Sequence, residues 1–161
     1  MQVIEVRVRH EDNIDRRQIA HANSLKEICR RGSDTAVLQG VEMSDRTDLL
    51  LKQHLYTVFG ERDAAKRRAA IAVIWNKDGV FICRSGAFAG VSSIDQAIQN
   101  IQEQFPQFVC SELTAPECFH GVGRLAWGYG LPNEPPQITG LNVGVVSDNR
   151  LSALYTFLDP L

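Results

Sequence analysis

The chain has 161 residues, with 17 Lys plus Arg against 19 Asp plus Glu, 44% apolar and 22% charged residues. This make-up suits one globular domain and leaves no room for a second full one. A formal charge of −2 supplies no broad basic field for nucleic acid or anionic lipid, and the longest apolar run, Ala69–Trp75, is far shorter than the roughly 20 residues of a spanning helix. Neither nucleic acid nor membrane is expected as a partner. The opening MQVIEVRVRHED lacks the apolar stretch of a secretory signal, which makes a cytoplasmic location the expectation.

Residues 1–46 balance eight basic against eight acidic side chains. They predict an N-terminal extension with a strand-like start, Val3–Val8, and a helix whose Ala22, Leu25, Ile28 and Cys29 share one face before Gly32. From Thr47 the pattern sharpens. Leu51, Leu55 and Val58 recur on one helical face that stops at Gly60, and Asp63 is placed to cap a second helix, AAKRRAAIAVIW. Asn76–Gly79 reads as a turn, VFIC as a short strand and Gly86–Gly90 as another turn region. Ser93 and Gln96 have capping-box spacing ahead of a helix in which Ile94, Ile98, Ile101 and Phe105 align, ended by Pro106.

Beyond Pro106 the period changes to two. Phe108–Leu113, Glu117–Tyr129, Gln137–Val146 and Leu151–Leu158 read as four strands. Helices followed by antiparallel strands imply an α+β fold with helices on one face of a curved sheet. In the last strand Leu151, Ala153, Tyr155 and Phe157 alternate to one side, with Leu154 and Leu158 on the other. Both faces are therefore apolar, and a sheet apolar on its far side needs a cover. A symmetric homodimer through the sheet is the simplest one.

Catalytic signatures are scarce. Cys29, Cys83, Cys110 and Cys118 contain no C-x-x-C pair, and His10, His21, His54 and His120 form no metal-binding cluster, so reduced structural thiols, no metal and no cofactor are expected. There is no G-x-S-x-G, phosphate loop or G-x-G-x-x-G. His54 falls on a polar helix side and His120 on the strand parity opposite the expected interior, so both read as surface or interface residues.

Six short motifs nevertheless recur in a suggestive order. They are Arg67-Arg68 in a helix ending Ile74-Trp75, then Asp78 and Phe81, Phe88-Ala89-Gly90 before a helix ending Phe105-Pro106, Arg124-x-x-Trp127, Thr139-Gly140-x-Asn142, and Leu154-Tyr155-x-Phe157-Leu158-Asp159. In this order they resemble the SnoaL-like branch of the nuclear-transport-factor-2-like superfamily over residues 47–161. The resemblance implies a cone-shaped α+β barrel, a strongly curved, mainly antiparallel sheet wrapped around N-terminal helices, enclosing an apolar pocket and commonly dimeric. Its members include ketosteroid isomerases, polyketide cyclases, dehydratases, hydrolases and non-catalytic binding modules, so the fold does not name a reaction.

The resemblance also places candidate residues. Ketosteroid isomerase-like relatives use one carboxylate on the first strand and another on the penultimate strand. Matching aligns these positions with Cys83 and Asn142, which implies that both acids are replaced. Asn142 can orient a carbonyl but cannot exchange a proton near neutral pH, or it can be satisfied by neighbouring backbone. Cys83 reads as a quiet pocket thiol, since Arg84 alternates to the opposite side of the strand. Tyr56 lies near the family's catalytic-tyrosine region, with Leu55 an equal candidate for the wall.

The catalytic residues are thus not named by the resemblance, and Asn142, Tyr56 and Cys83 are the candidates. The expected ligand lining is Phe81, Cys83, Leu125, Trp127, Tyr129, Asn142, Leu154, Thr156 and Leu158. The expected function is binding of an apolar or amphiphilic small molecule of polyketide, terpenoid or steroid type. The alternatives are an isomerase, cyclase, dehydratase or hydrolase that uses Asn142 with a Tyr or His, and a dimeric assembly module whose partner element is segment 1–46.

Overall fold

The computed structural model describes residues 46–160. The predicted extension lies outside the described residues except for Arg46, and with it the Val3–Val8 strand and the helix through Ala22 and Cys29. What is described is one mixed sheet of seven strands and the helices packed against it.

The first helix, α1, is described over 46–53 and continues as a π-helical turn, His54–Phe59. Its wider ladder closes with Gly60 N–H donating to the Leu55 carbonyl at 2.9 Å, five residues back. Leu51, Leu55 and Val58 are buried as their spacing predicts. α2, Ala64–Ile74, begins where Asp63 accepts from the backbone amides of Ala65 and Lys66 at 2.8 and 3.0 Å. These two bonds hold the Asp63 carboxyl below its usual range.

β1 follows directly as Trp75–Cys83, so the expected turn at Asn76–Gly79 is instead strand carrying a register shift between Trp75 and Val80. β2, Gly86–Ala89, pairs antiparallel with β1, which replaces the second expected turn region with a hairpin whose two turn residues are Arg84 and Ser85. α3 spans Gly90–Gln104 and starts at Ala89 without a side-chain cap. The Ser93 and Gln96 spacing therefore falls inside the helix rather than at its start. Its Ile94 and Ile98 are fully buried.

The remaining strands are β3 Val109–Glu112, β4 Glu117–Phe119, β5 Val122–Gly130, β6 Ile138–Ser147 and β7 Arg150–Leu158. The predicted single strand Glu117–Tyr129 is two, because His120 and Gly121 both take positive φ, 48° and 77°, and turn the chain back on itself. Asp148 and Asn149, at φ 51° and 59°, make the expected turn between β6 and β7.

Strand order is β2-β1-β7-β6-β5-β3, with β4 also on β5. All pairs are antiparallel except β1 with β7. The sheet is α+β and mainly antiparallel, as expected. A further irregularity at Val145/Val146 changes the parity of β7. Leu151 consequently joins Leu154 in the core, both at 0% exposure, while Tyr155 and Phe157 stay outside at 39% and 58%. No described helix is long and apolar enough to cross a membrane.

Candidate functional site

One end of the interior is solid. Gly144 lies against Leu51, Leu151 and Leu154, where even an added methyl group would sit 2.7 Å from a Leu51 methyl. Leu125 is also fully buried. The other end is hollow, with a cavity of about 510 Å³, within the range of small-molecule sites.

Two aromatic groups form its walls. On one side His54 meets Trp75 edge-on at 5.5 Å and Phe81 at 6.1 Å. On the other, Tyr129 is ringed by Phe59, Phe105 and Phe108 at 5.2, 6.0 and 5.3 Å. Arg62 fixes this second group from behind. It donates to the carbonyls of Gln102, Phe105 and Phe108 at 3.0, 3.0 and 2.6 Å and to the Tyr129 hydroxyl at 3.3 Å. Burial raises the Tyr129 pKa against the opposing pull of Arg62.

Of the expected lining, Phe81, Cys83, Trp127, Tyr129, Asn142, Thr156 and Leu158 border the cavity. Leu125 and Leu154 do not. They share the right strand parity but sit within the leucine-filled end. Tyr56 is also corrected: it is 47% exposed, and its hydroxyl accepts from the Glu112 amide at 3.2 Å. Leu55, the alternative wall residue, borders the cavity.

Asn142 is the principal polar group of the chamber. It is 4% exposed, and its Oδ1 accepts from Trp127 Nε1–H at 2.9 Å and from the Thr156 hydroxyl at 2.7 Å. Indole nitrogen can only donate, so this contact fixes which end of the amide is oxygen. The Nδ2 protons have no hydrogen-bond partner among the described residues, and the cavity is where this side chain is accessible. Asn142 therefore presents a fixed donor. Glycine at 140 is required for this arrangement, since a Cβ there would stand 2.6 Å from the Trp127 ring.

Sequence reasoning missed His54. It is 1% exposed, borders the cavity and has no hydrogen-bond partner for Nδ1 among the described residues. Burial alone drives its pKa down to about 3, so the ring is neutral at ordinary pH. The signal was the helical period itself: His54 lies three residues from Leu51 and four from Leu50 and Val58, on the same buried face, so that its spacing outweighs its polar side chain. Arg84 and Ser85 also border the cavity, because hairpin turn residues do not obey strand alternation. Cys83 Sγ lies 3.0 Å from the Ser85 hydroxyl. Cys110, outside the lining, has its thiol pKa pushed up to about 12 by burial and is a packing residue.

No Asp or Glu borders the cavity among the described residues, nor do the described residues contain a group of His, Cys, Asp or Glu able to hold a metal.

No protein-family model and no curated protein matches the chain. Solved structures do. A protein from Agrobacterium tumefaciens, named as an isomerase of the SnoaL-like family, matches with a TM-score of 0.67 at 18% identity over 72% of this chain and 99% of that one. A protein from Jannaschia sp. CCS1, named as a SnoaL-like polyketide cyclase, matches with a TM-score of 0.60 at 10% identity over 73% and 88%. A protein of ketosteroid isomerase-like fold from Catenulispora acidiphila matches with a TM-score of 0.54 at 8% identity over 67% and 83%. The chain thus shares the fold of these SnoaL-like and ketosteroid isomerase-like proteins, and at these identities the likeness fixes the fold and leaves the chemistry to the cavity.

Proposed function

We propose that the protein binds an apolar or amphiphilic small molecule in this cavity, through aromatic contact and one hydrogen bond from Asn142, without carboxylate proton transfer. The observation that carries the reading is an aromatic-walled chamber of about 510 Å³ in which the Asn142 amide, fixed by Trp127 and Thr156, offers a donor and no carboxylate stands in the lining among the described residues. Cys83 and Asn142 would then stand where catalytic relatives keep their acids. Asn142 cannot replace a carboxylate base, since it has no proton to exchange near neutrality.

Calorimetry and thermal shift with 2-acetylnaphthalene test it. The ketone supplies a flat apolar body and an acceptor for Nδ2, and binding at 100 times Kd would stabilise the fold by about 2.7 kcal/mol. Absence of any shift across ketones, alcohols and hydrocarbons of this size would overturn the reading.

A catalytic alternative draws on His54, an imidazole that borders the chamber with Nδ1 unpartnered. With its pKa near 3 it accepts a proton poorly, so its role in such a reaction would be to orient a carbonyl or a water. Turnover of a cyclisable or hydratable ketone, abolished by His54→Phe, would favour this alternative.

We also propose that the protein self-associates through the outer face of the sheet. Tyr155 pairs across strands with Ile82 and Val143, and Phe157 with Leu141, making an apolar band without a cover among the described residues. The occupant proposed is a second copy, because an outer face of the same character would supply the matching surface in an isologous contact. Sedimentation analysis should give a dimer that Tyr155→Lys with Phe157→Lys converts to monomer, and a monomeric parent protein would overturn this part.

A further inference from the structure

Seven arginines lie in the described part of the chain, and six have an oxygen partner. Arg46 donates to the Asn149 carbonyl, Arg62 to backbone carbonyls, Arg67 and Arg68 to Asp95, Arg124 to Glu117 and Arg150 to the Ala72 carbonyl. Arg84 alone has no ion pair or hydrogen bond among the described residues. It is exposed in the β1–β2 turn and borders both the cavity and an outer groove of about 860 Å³ along the ends of β1, β6 and β7. The cavity lining contains no other permanently charged side chain among the described residues. The groove contains one acid, Asp159, whose Oδ2 accepts from the Thr139 hydroxyl at 2.7 Å.

This distribution gives the cavity a polarity. The Asn142 donor stands among buried aromatic and aliphatic groups, while an unneutralised guanidinium stands where cavity and groove meet. Guanidinium binds carboxylate with two parallel hydrogen bonds, and a positive rim disfavours a cationic ligand. We propose that Arg84 selects an anionic amphiphile: a carboxylate held at the rim, an apolar body in the chamber and an acceptor oxygen on Asn142 Nδ2. The proposal rests on the ligand-binding reading above and adds the charge of the ligand.

Three probes with one body separate the two readings: 6-acetyl-2-naphthoate, its primary carboxamide and 6-acetyl-2-naphthylmethylamine, titrated calorimetrically against the full chain. The carboxylate should bind about tenfold more tightly than the carboxamide, with the amine weakest. Arg84→Gln should bring the ratio of acid to amide affinity to about one, Arg84→Lys should restore part of it, and 0.5 M salt should reduce it. Equal acid and amide affinity, a preference for the amine, or a ratio that survives Arg84→Gln would overturn the role of Arg84 and leave a carboxamide-binding cavity intact. Failure of all three probes to bind would overturn the cavity reading and this inference with it.

Discussion

Two clusters of buried polar side chains sit in the same fold and differ in one respect. Between α2 and α3, Arg67 gives Nε to Asp95 at 2.6 Å and a terminal nitrogen to Gln102 and to the Glu61 carbonyl at 2.9 and 3.1 Å. Arg68 meets the second Asp95 oxygen at 3.0 Å, and Gln102 in turn donates to the carbonyls of Phe59 and Glu61. At the cavity, Asn142 and His54 are as deeply buried, yet each keeps a nitrogen without a protein partner among the described residues. Burial of polar groups is common to both clusters, whereas only in the second do nitrogens without a protein partner among the described residues belong to side chains that line a cavity. That spare capacity separates a place for a ligand from a brace.

Breaking the brace should have the largest effect. Asp95→Ala leaves Arg67 charged and buried without its carboxylate, and should lower unfolding stability by about 3–5 kcal/mol in urea titration. A loss under 1 kcal/mol would mean that Gln102 and Glu61 suffice without the ion pair. At the cavity, Asn142→Leu keeps the branched shape but strands two donors, Trp127 Nε1–H and the Thr156 hydroxyl. Stability should fall by about 1–3 kcal/mol, and ketone affinity should fall with it. A variant that binds 2-acetylnaphthalene as tightly as the parent would take the amide out of the site.

His54 sharpens the contrast through pH. Its folded pKa of about 3 lies below the ordinary 6.5, so the unfolded chain takes up a proton that the folded chain refuses. Its contribution is complete above pH 6.5 and is lost as the pH falls from there toward 3, by up to about 1.4 kcal/mol per pH unit. Denaturation at pH 7 and pH 5 should show that slope, reduced in His54→Phe; an unchanged slope would place the acid sensitivity elsewhere. The smallest effect belongs to the surface pair Arg124–Glu117, whose side chains are both 62% exposed. Glu117→Gln should change stability by no more than about 0.5 kcal/mol.

The parts of the molecule that obey a simple period were legible beforehand. Leu51, Leu55 and Val58 on α1 and the Asp63 cap are where spacing places them, and Trp127 with Tyr129 share the face of β5 that strand parity gives them and the resemblance aims at the cavity. What escaped lies where a period is interrupted. Leu151 is buried by an irregular strand pairing and Arg84 reaches the rim from a hairpin turn, whereas His54 keeps the period of Leu51 and Val58 and was hidden only by its polar side chain. Leu125 and Leu154 teach the complementary lesson: parity identifies the side of the sheet a residue faces, but how far along the cone the interior stays hollow depends on leucines from several elements at once.

The turn at His54–Phe59 has a consequence for how such a chamber is altered. A π turn is one residue wider than the α-helical turn it replaces. Removing a single residue between 54 and 59 would restore the tighter ladder yet leave the helix before it nearly in phase with Phe59, because the six residues of the wider turn rotate the chain about as far as five at the α-helical pitch. Residues inside the turn would change their facing while those before it kept theirs. A length change of one residue would thus be absorbed within this turn, which makes it the place where the helix tolerates an insertion or deletion without re-aiming Leu50 and Leu51.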